Sequence, residues 1–136
     1  MPTVVIRQRD LFTKRFRKVP TVDPSELQIQ IAVIGRLRLQ CRPGIMYWHT
    51  PNGEGRDPRA GAKLKAMGVR PGVSDLQFVF STPQPNLFLE LKARGRDLTP
   101  DQKIFRADVR ALGHYYEMAD SIDEAVRVLR QYRIIS

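Results

Sequence analysis

The sequence predicts an α/β domain: a mixed sheet of about four strands flanked by helices. Three observations carry that prediction. Asp23-Pro24-Ser25-Glu26, Thr99-Pro100-Asp101-Gln102 and Ser121-Ile122-Asp123-Glu124 each combine a capping side chain with an acid or amide three residues later, the signature of a helix start. Short runs rich in aromatic, branched and leucine residues lie between them at 45–49, 76–80, 87–92 and 114–118, which suits strands. At 136 residues, 42% of them hydrophobic, the chain has material for one packed core, since domains commonly run to about 100–150 residues.

In chain order, residues 1–22 read as a basic N-terminal arm and residues 23–136 as the folded domain. The arm holds Arg7, Arg9, Lys14, Arg15, Arg17 and Lys18 against Asp10 alone. The first helix takes Asp23 as its cap and Glu26 as its third residue. Its buried face is expected along Leu27, Ile31, Ile34, Leu37 and Cys41, and it stops before Pro43-Gly44. The strand at 45–49 is followed by a turn-forming stretch, Pro51 to Arg56, and by a short helix over 59–67 that ends at Gly68. The strands at 76–80 and 87–92 form a hairpin around Pro83 and Pro85, which cannot sit within a central ladder. A helix over 100–112 ends at Gly113, a strand occupies 114–118, and Ile122, Ala125, Val126, Leu129 and Tyr132 give the last helix its apolar stripe.

Composition narrows the function. No apolar run reaches the roughly 18–20 residues of a membrane span, and the start of the chain lacks the apolar block of a secretory signal. One cysteine, Cys41, allows no internal disulfide, and with two histidines it is too little for a Cys/His zinc centre, so a reducing, cytoplasmic setting is expected. Neither GxxxxGK[ST] nor GxGxxG occurs, which leaves nucleotide hydrolysis of the P-loop kind unsupported. The net charge of +9 draws polyanions such as nucleic acid, because neutralised phosphates release condensed counterions; a merely solvated basic face is the plain alternative.

Alternation along the hairpin gathers the chemistry. If Leu76, Phe78 and Phe80 share the core with Leu87, Leu89 and Leu91, then Asp75 and Gln77 lie on the opposite face together with Phe88, Glu90 and Lys92. A symmetric loop pairs Phe80 with Leu87 and Asp75 with Lys92, leaving Glu90 diagonal to Asp75 at about 7–8 Å between Cα atoms. Two neighbouring carboxylates repel unless a cation or proton sits between them, and hard oxygen ligands select magnesium or manganese. Such an ion with Lys92 would equip phosphodiester hydrolysis. Spacing alone equally allows the solvated face of an amphipathic hairpin held by a surface ion pair.

Gly72-Val73-Ser74-Asp75-Leu76, Phe88-Leu89-Glu90-Leu91-Lys92 and Leu98-Thr99-Pro100-Asp101-Gln102 resemble the consecutive signatures of the VRR-NUC family, part of the PD-(D/E)XK nuclease superfamily. The likeness runs from about Glu26 to Tyr132 and implies a restriction-endonuclease-like core that cleaves DNA with Mg2+ or Mn2+. It implies that Asp75, Glu90 and Glu26 bind the metal, that Lys92 assists the attacking water and that Gln102 supports the site. Asn52, Arg56 and Lys63 would contact phosphates. Ser74 departs from the pattern, standing where the superfamily name has proline, a residue that shapes the turn rather than the chemistry. Family members without other domains resemble dimeric, junction-cleaving enzymes of the Holliday-junction-resolvase kind, so branched DNA, a homodimer and a role in DNA repair or recombination are implied by analogy.

Some residues carry a second reading. Glu26 and Gln102 both fit capping boxes, Asn52, Arg56 and Lys63 fit ordinary turn and surface chemistry, and His49 beside Tyr47 and Trp48 is read as packed or hydrogen-bonded rather than catalytic. Two rivals to an enzyme remain: a nuclease-like fold that binds nucleic acid without cutting it, and an adaptor whose charge serves solubility or docks an acidic protein.

Overall fold

Ser25, not Asp23, caps the first helix. The computed structural model describes residues 22–51 and 58–136. In it α1 spans Glu26–Gln40, and the Ser25 side chain accepts from the Gln28 N–H while Gln28 returns a bond to the Ser25 N–H. The capping box therefore sits two residues later than the sequence suggests. Serine and aspartate are near-equal caps, and the reciprocal amide at Gln28 decides between them. Glu26 becomes the first helical residue and is released from any capping duty.

The buried stripe of α1 also differs from the expected one. Ile29, Val33 and Leu37 are fully buried with Ile34 and Cys41 packed beside them, whereas Leu27 and Ile31 are 66% and 63% exposed. Both sets have helical spacing, so periodicity alone offered two faces and only packing against the sheet selects one.

The remaining elements follow in order: β1 Ile45–His49, α2 Pro58–Ala66, β2 Leu76–Phe80, β3 Leu87–Leu91, α3 Pro100–Ala111, β4 Tyr115–Ala119 and α4 Ile122–Gln131. The sheet has the order β1-β2-β3-β4, antiparallel from β1 to β3 and parallel between β3 and β4. A parallel pair needs a long crossover, and α3 supplies it. At Thr99 the expected capping box is complete, with Pro100 opening the helix. At Ser121 it is half complete: the hydroxyl accepts from Glu124 N–H, but the Glu124 carboxylate pairs with Arg127 instead of returning a bond.

The mixed four-stranded α/β architecture is thus the one the sequence predicts. One sheet face buries Leu76 and Phe78 of β2 and Leu87, Leu89 and Leu91 of β3 under α1 and α4, together with Ile134 and Ile135 of the tail. The other face buries Phe88 and Tyr116 under Leu98 and the α3 residues Phe105 and Val109. Parity in the hairpin is as expected, but the register is not. Phe78, not Phe80, pairs with Leu87, a two-residue slip. Val79 and Phe80 overrun β3 to pair with Met46 and Ile45 of β1, so the connection is lopsided rather than symmetric. No helix among the described residues is long and apolar enough to cross a membrane. The arm assigned to residues 1–22 lies, except for Val22, outside the described residues.

Helix orientation is testable by paired substitutions. Ile29→Ala, at a fully buried position, is expected to lower unfolding free energy by about 2–5 kcal/mol. Ile31→Ala should stay within about 0.5 kcal/mol of the parent. Urea unfolding curves that lose equal stability in both variants would contradict the orientation described.

Candidate active site

The slipped register brings the acidic residues closer than the symmetric one. Directly opposed residues share a sheet face, so Trp48, Gln77, Phe88 and Tyr116 form one row across the four strands. Continuing the ladders by two residues makes Thr50, Asp75, Glu90 and Met118 the next row, with Asp75 facing Glu90 rather than Lys92. Two bonds fix this continuation: Thr50 N–H donates to the Asp75 carbonyl at 3.0 Å, and Leu91 N–H donates to Asp75 Oδ2 at 2.8 Å.

Asp75 stands just before β2 in a turn held mostly by side chains. Ser74 is fully buried; its hydroxyl donates to the Leu76 carbonyl, and its own carbonyl and hydroxyl accept from Gln77 Nε2. Gln77 Oε1 in turn accepts from the Thr50 hydroxyl at 2.8 Å. Serine thus fixes by hydrogen bonding a turn that proline would fix through its ring, which accounts for the departure at this position. The Asp75 carbonyl also accepts from His49 Nδ1 at 2.7 Å, which makes Nδ1 the protonated nitrogen, so the histidine is hydrogen-bonded as expected.

Glu90 is almost fully buried. Its Oε1 accepts from Gln102 Nε2 at 2.8 Å and lies 3.7 Å from Lys92 Nζ, which is also buried; its Oε2 has no hydrogen-bond partner among the described residues. Burial pushes this carboxyl up to about 8, the neighbouring Asp75 charge adds to the rise, and the Lys92 ammonium opposes it. Asp75 is raised as well, first by burial, against the pull of the Leu91 N–H and His49. Its carboxyl reaches that of Glu90 closely enough for a hydrogen bond when one of them carries a proton. Glu26 projects to the same region from the first turn of α1: its Oε1 accepts from Ala93 N–H at a long 3.4 Å, and its charge raises both other carboxyls. Tyr116 has the second buried polar atom without a partner, its hydroxyl.

Gln102 resolves its two readings by satisfying both. Oε1 accepts from Thr99 N–H as part of the capping box, while Nε2 holds Glu90. The position of α3 depends on Gly72, whose φ of +79° suits glycine and whose missing side chain leaves room for the chain; a Cβ there would collide with the Asp101 carbonyl and sit 2.8 Å from Gln102 N. Sequence reasoning missed Gly72, Thr50 and Gln77 as builders of the site. A polar Gln77 inside an otherwise apolar strand was the available signal.

Asp75, Glu90, Lys92, Gln102 and Glu26 are therefore brought together. Lys63 is exposed on α2, and no hydrogen bond or ion pair among the described residues ties its side chain to the cluster. Asn52 and Arg56 lie outside the described residues. No three His, Cys, Asp or Glu side chains among the described residues are close enough to enclose a metal ion. A magnesium or manganese ion does not need such a cage, since it keeps several waters and is commonly held by one or two carboxylates. The pair Asp75 and Glu90, both raised first by burial and with Glu90 Oε2 unpartnered among the described residues, fits that kind of ion.

Two outcomes check this geometry. In the metal-free protein Glu90 binds its proton more tightly when folded than when unfolded, so between about pH 4.5 and pH 8 the native state holds more protons and stability falls as pH rises. Urea midpoints should decline over that interval, and Glu90→Gln should flatten the decline; an unchanged slope would contradict the burial described. Gly72→Ala should destabilise by more than about 1 kcal/mol, because alanine meets both a positive φ and the α3 backbone.

Comparison with solved structures places this arrangement. A structure described as a "VRR_NUC domain protein" matches with a TM-score of 0.66 and 26% identity, over 82% of this chain and 89% of that one. Another, described as a "VRR_NUC domain", matches with a TM-score of 0.53 and 16% identity over 80% of this chain and 99% of that one, a likeness of fold alone. No protein-family model matches the sequence, and no curated protein is similar to it. With its sheet order and flanking helices, the chain shares the nuclease-like fold of these solved VRR-NUC domain structures.

Proposed function

We propose that the chain is a metal-dependent deoxyribonuclease that hydrolyses phosphodiester bonds at the Asp75, Glu90 and Lys92 cluster. The observation that carries this reading is a buried Glu90 set between half-buried Asp75 and buried Lys92, with Glu90 Oε2 left without a hydrogen-bond partner among the described residues. A structural role explains such a group poorly. A buried carboxyl oxygen without a partner is costly, and a purely structural surface would leave the acids in water.

Asp75 and Glu90 would hold a magnesium or manganese ion, with Glu26, not close enough to complete a three-carboxylate cage, supporting the site from the first turn of α1. When bound, such an ion polarises a phosphoryl oxygen and lowers the pKa of water. Leu91 N–H fixes the Asp75 carboxylate, and Gln102 Nε2 fixes that of Glu90, so neither has to reorganise when substrate arrives. Lys92, buried beside Glu90 Oε1, presents a positive charge to the attacking oxygen and to the negative charge that builds on phosphorus. Water adds to phosphorus, one P–O ester bond breaks, and the leaving oxygen takes a proton.

The net charge of +9 favours a backbone-gripping protein. By resemblance to the family, the substrate is branched DNA, cut by a structure-selective endonuclease of the junction-resolving kind in repair or recombination, and a homodimer would present two sites to a two-fold symmetric junction. Lys63, Asn52 and Arg56 would take phosphates.

The test incubates purified protein with labelled junction, flap and linear DNA, with and without Mg2+ or Mn2+. Cutting that requires the cation is expected, with losses of at least about 100-fold for Asp75→Ala and Lys92→Ala while affinity for DNA is largely kept. Undiminished cutting by either variant would remove that residue from the mechanism. Tight, salt-sensitive binding without cutting on every substrate would favour the non-catalytic binding module, and no binding at all the adaptor.

A further inference from the structure

The face of the sheet that carries Asp75 and Glu90 is covered unevenly. Over β3 and β4 it lies under α3, where Phe105 packs edge-on against Phe88 at 5.6 Å and against Tyr116 at 6.2 Å. Over β1 it ends in two large apolar side chains left in water, Met46 at 61% and Trp48 at 42% exposure. Both point to this face, because their partners across the ladder are Val79 and Gln77, whereas Ile45 and Tyr47 turn to the main core.

Trp48 occupies the row next to the acids. It pairs with Gln77 and is diagonal to Asp75, a relation of about 7–8 Å between Cα atoms. Its backbone is held in the β1–β2 ladder, and the Thr50, Gln77 and Ser74 network sets the chain beside it. Among the described residues no aromatic ring or cationic group stacks on the indole. Among the described residues, the result is a flat π surface on a paired strand, 42% exposed and one side chain away from the carboxyls.

We propose that Trp48 is a stacking platform for an unpaired base adjoining the scissile phosphate, so that the site selects DNA with unpaired nucleotides over fully paired duplex. This rests on the nuclease reading above and adds to it what the site recognises. Bases inside a duplex already stack on their neighbours and expose only edges and backbone. An unpaired base offers a whole face, and aromatic side chains on sheets bind such faces with little regard to sequence. Met46 extends the apolar floor in the direction leading away from the acids. The diagonal spacing of Trp48 and Asp75, about 7–8 Å between Cα atoms, is on the scale of a base and a nearby phosphate, and the positive net charge favours the backbone that links them.

Trp48 is the only tryptophan in the chain, so its emission reports contact directly. In EDTA, to prevent cutting, the full chain is titrated with end-labelled oligothymidine, blunt duplex and duplex with a single-stranded tail, following label anisotropy and tryptophan emission together. Emission should be quenched by the single strand and the tailed duplex and much less by the blunt duplex. Trp48→Ala should weaken binding of the first two by roughly 5- to 150-fold, with most affinity restored in Trp48→Phe. Cleavage with Mn2+ should show the same preference, reduced in Trp48→Ala.

Binding seen by anisotropy with unchanged emission overturns the stacking role and leaves the nuclease reading intact. Equal quenching by blunt duplex does the same, because the contact would then not be to an unpaired base. Emission that shifts with protein concentration and not with DNA assigns the surface to a second copy. Failure to bind any of the three sinks both proposals.

Discussion

The hydrogen bond from Leu91 N–H to Asp75 Oδ2 ties the acid at the start of β2 to the backbone of β3 and so holds the two carboxyls together at one height in the sheet. It belongs to a ladder in which Phe78 faces Leu87, and Leu76, Phe78, Leu87, Leu89 and Leu91 are all spent on one face. A one-residue slip of either strand would turn its acid toward the main core and its leucines away from it, at the expense of buried apolar surface. Hydrophobic burial therefore enforces the placement of the acids, although no apolar residue touches the chemistry itself.

That placement has an electrostatic consequence. Glu90 and Lys92 are withdrawn from water and Asp75 partly so, and burial makes both acids hold protons that exposed carboxyls would release. A cation set between the two acids would take the place of those protons. The supporting groups act on orientation rather than charge: Gln102 on Glu90, Gln77 on the Ser74 turn, and Gly72 on the distance between that turn and α3. A single side chain, Gln102, joins helix capping to the site, so the start of α3 and the position of Glu90 cannot vary independently.

Much of this was legible in the sequence. Strand and helix order, the capping box at Thr99 and the common face of Asp75, Glu90 and Lys92 follow from period-two alternation and local capping chemistry, which depend on near neighbours. The errors share a cause. Asp23 against Ser25 as cap, Leu27 and Ile31 against Ile29 and Val33 as buried face, and Phe80 against Phe78 as the partner of Leu87 are each choices between locally equivalent options. Apart from the amide of Gln28, which selects Ser25, nothing within ten residues separates them.

By itself, then, the sequence determined which segments form helices and strands, which side of the hairpin turns to the core, and that two acids and a lysine share the other side, because those properties are written in short-range periodicity. The tertiary structure alone decided that Asp75 faces Glu90, that Glu26 and Gln102 arrive from distant helices, and that Trp48 stays uncovered beside them. Those contacts join residues far apart in the chain, and their geometry is fixed by how whole elements pack, a sum over the molecule that no local window contains.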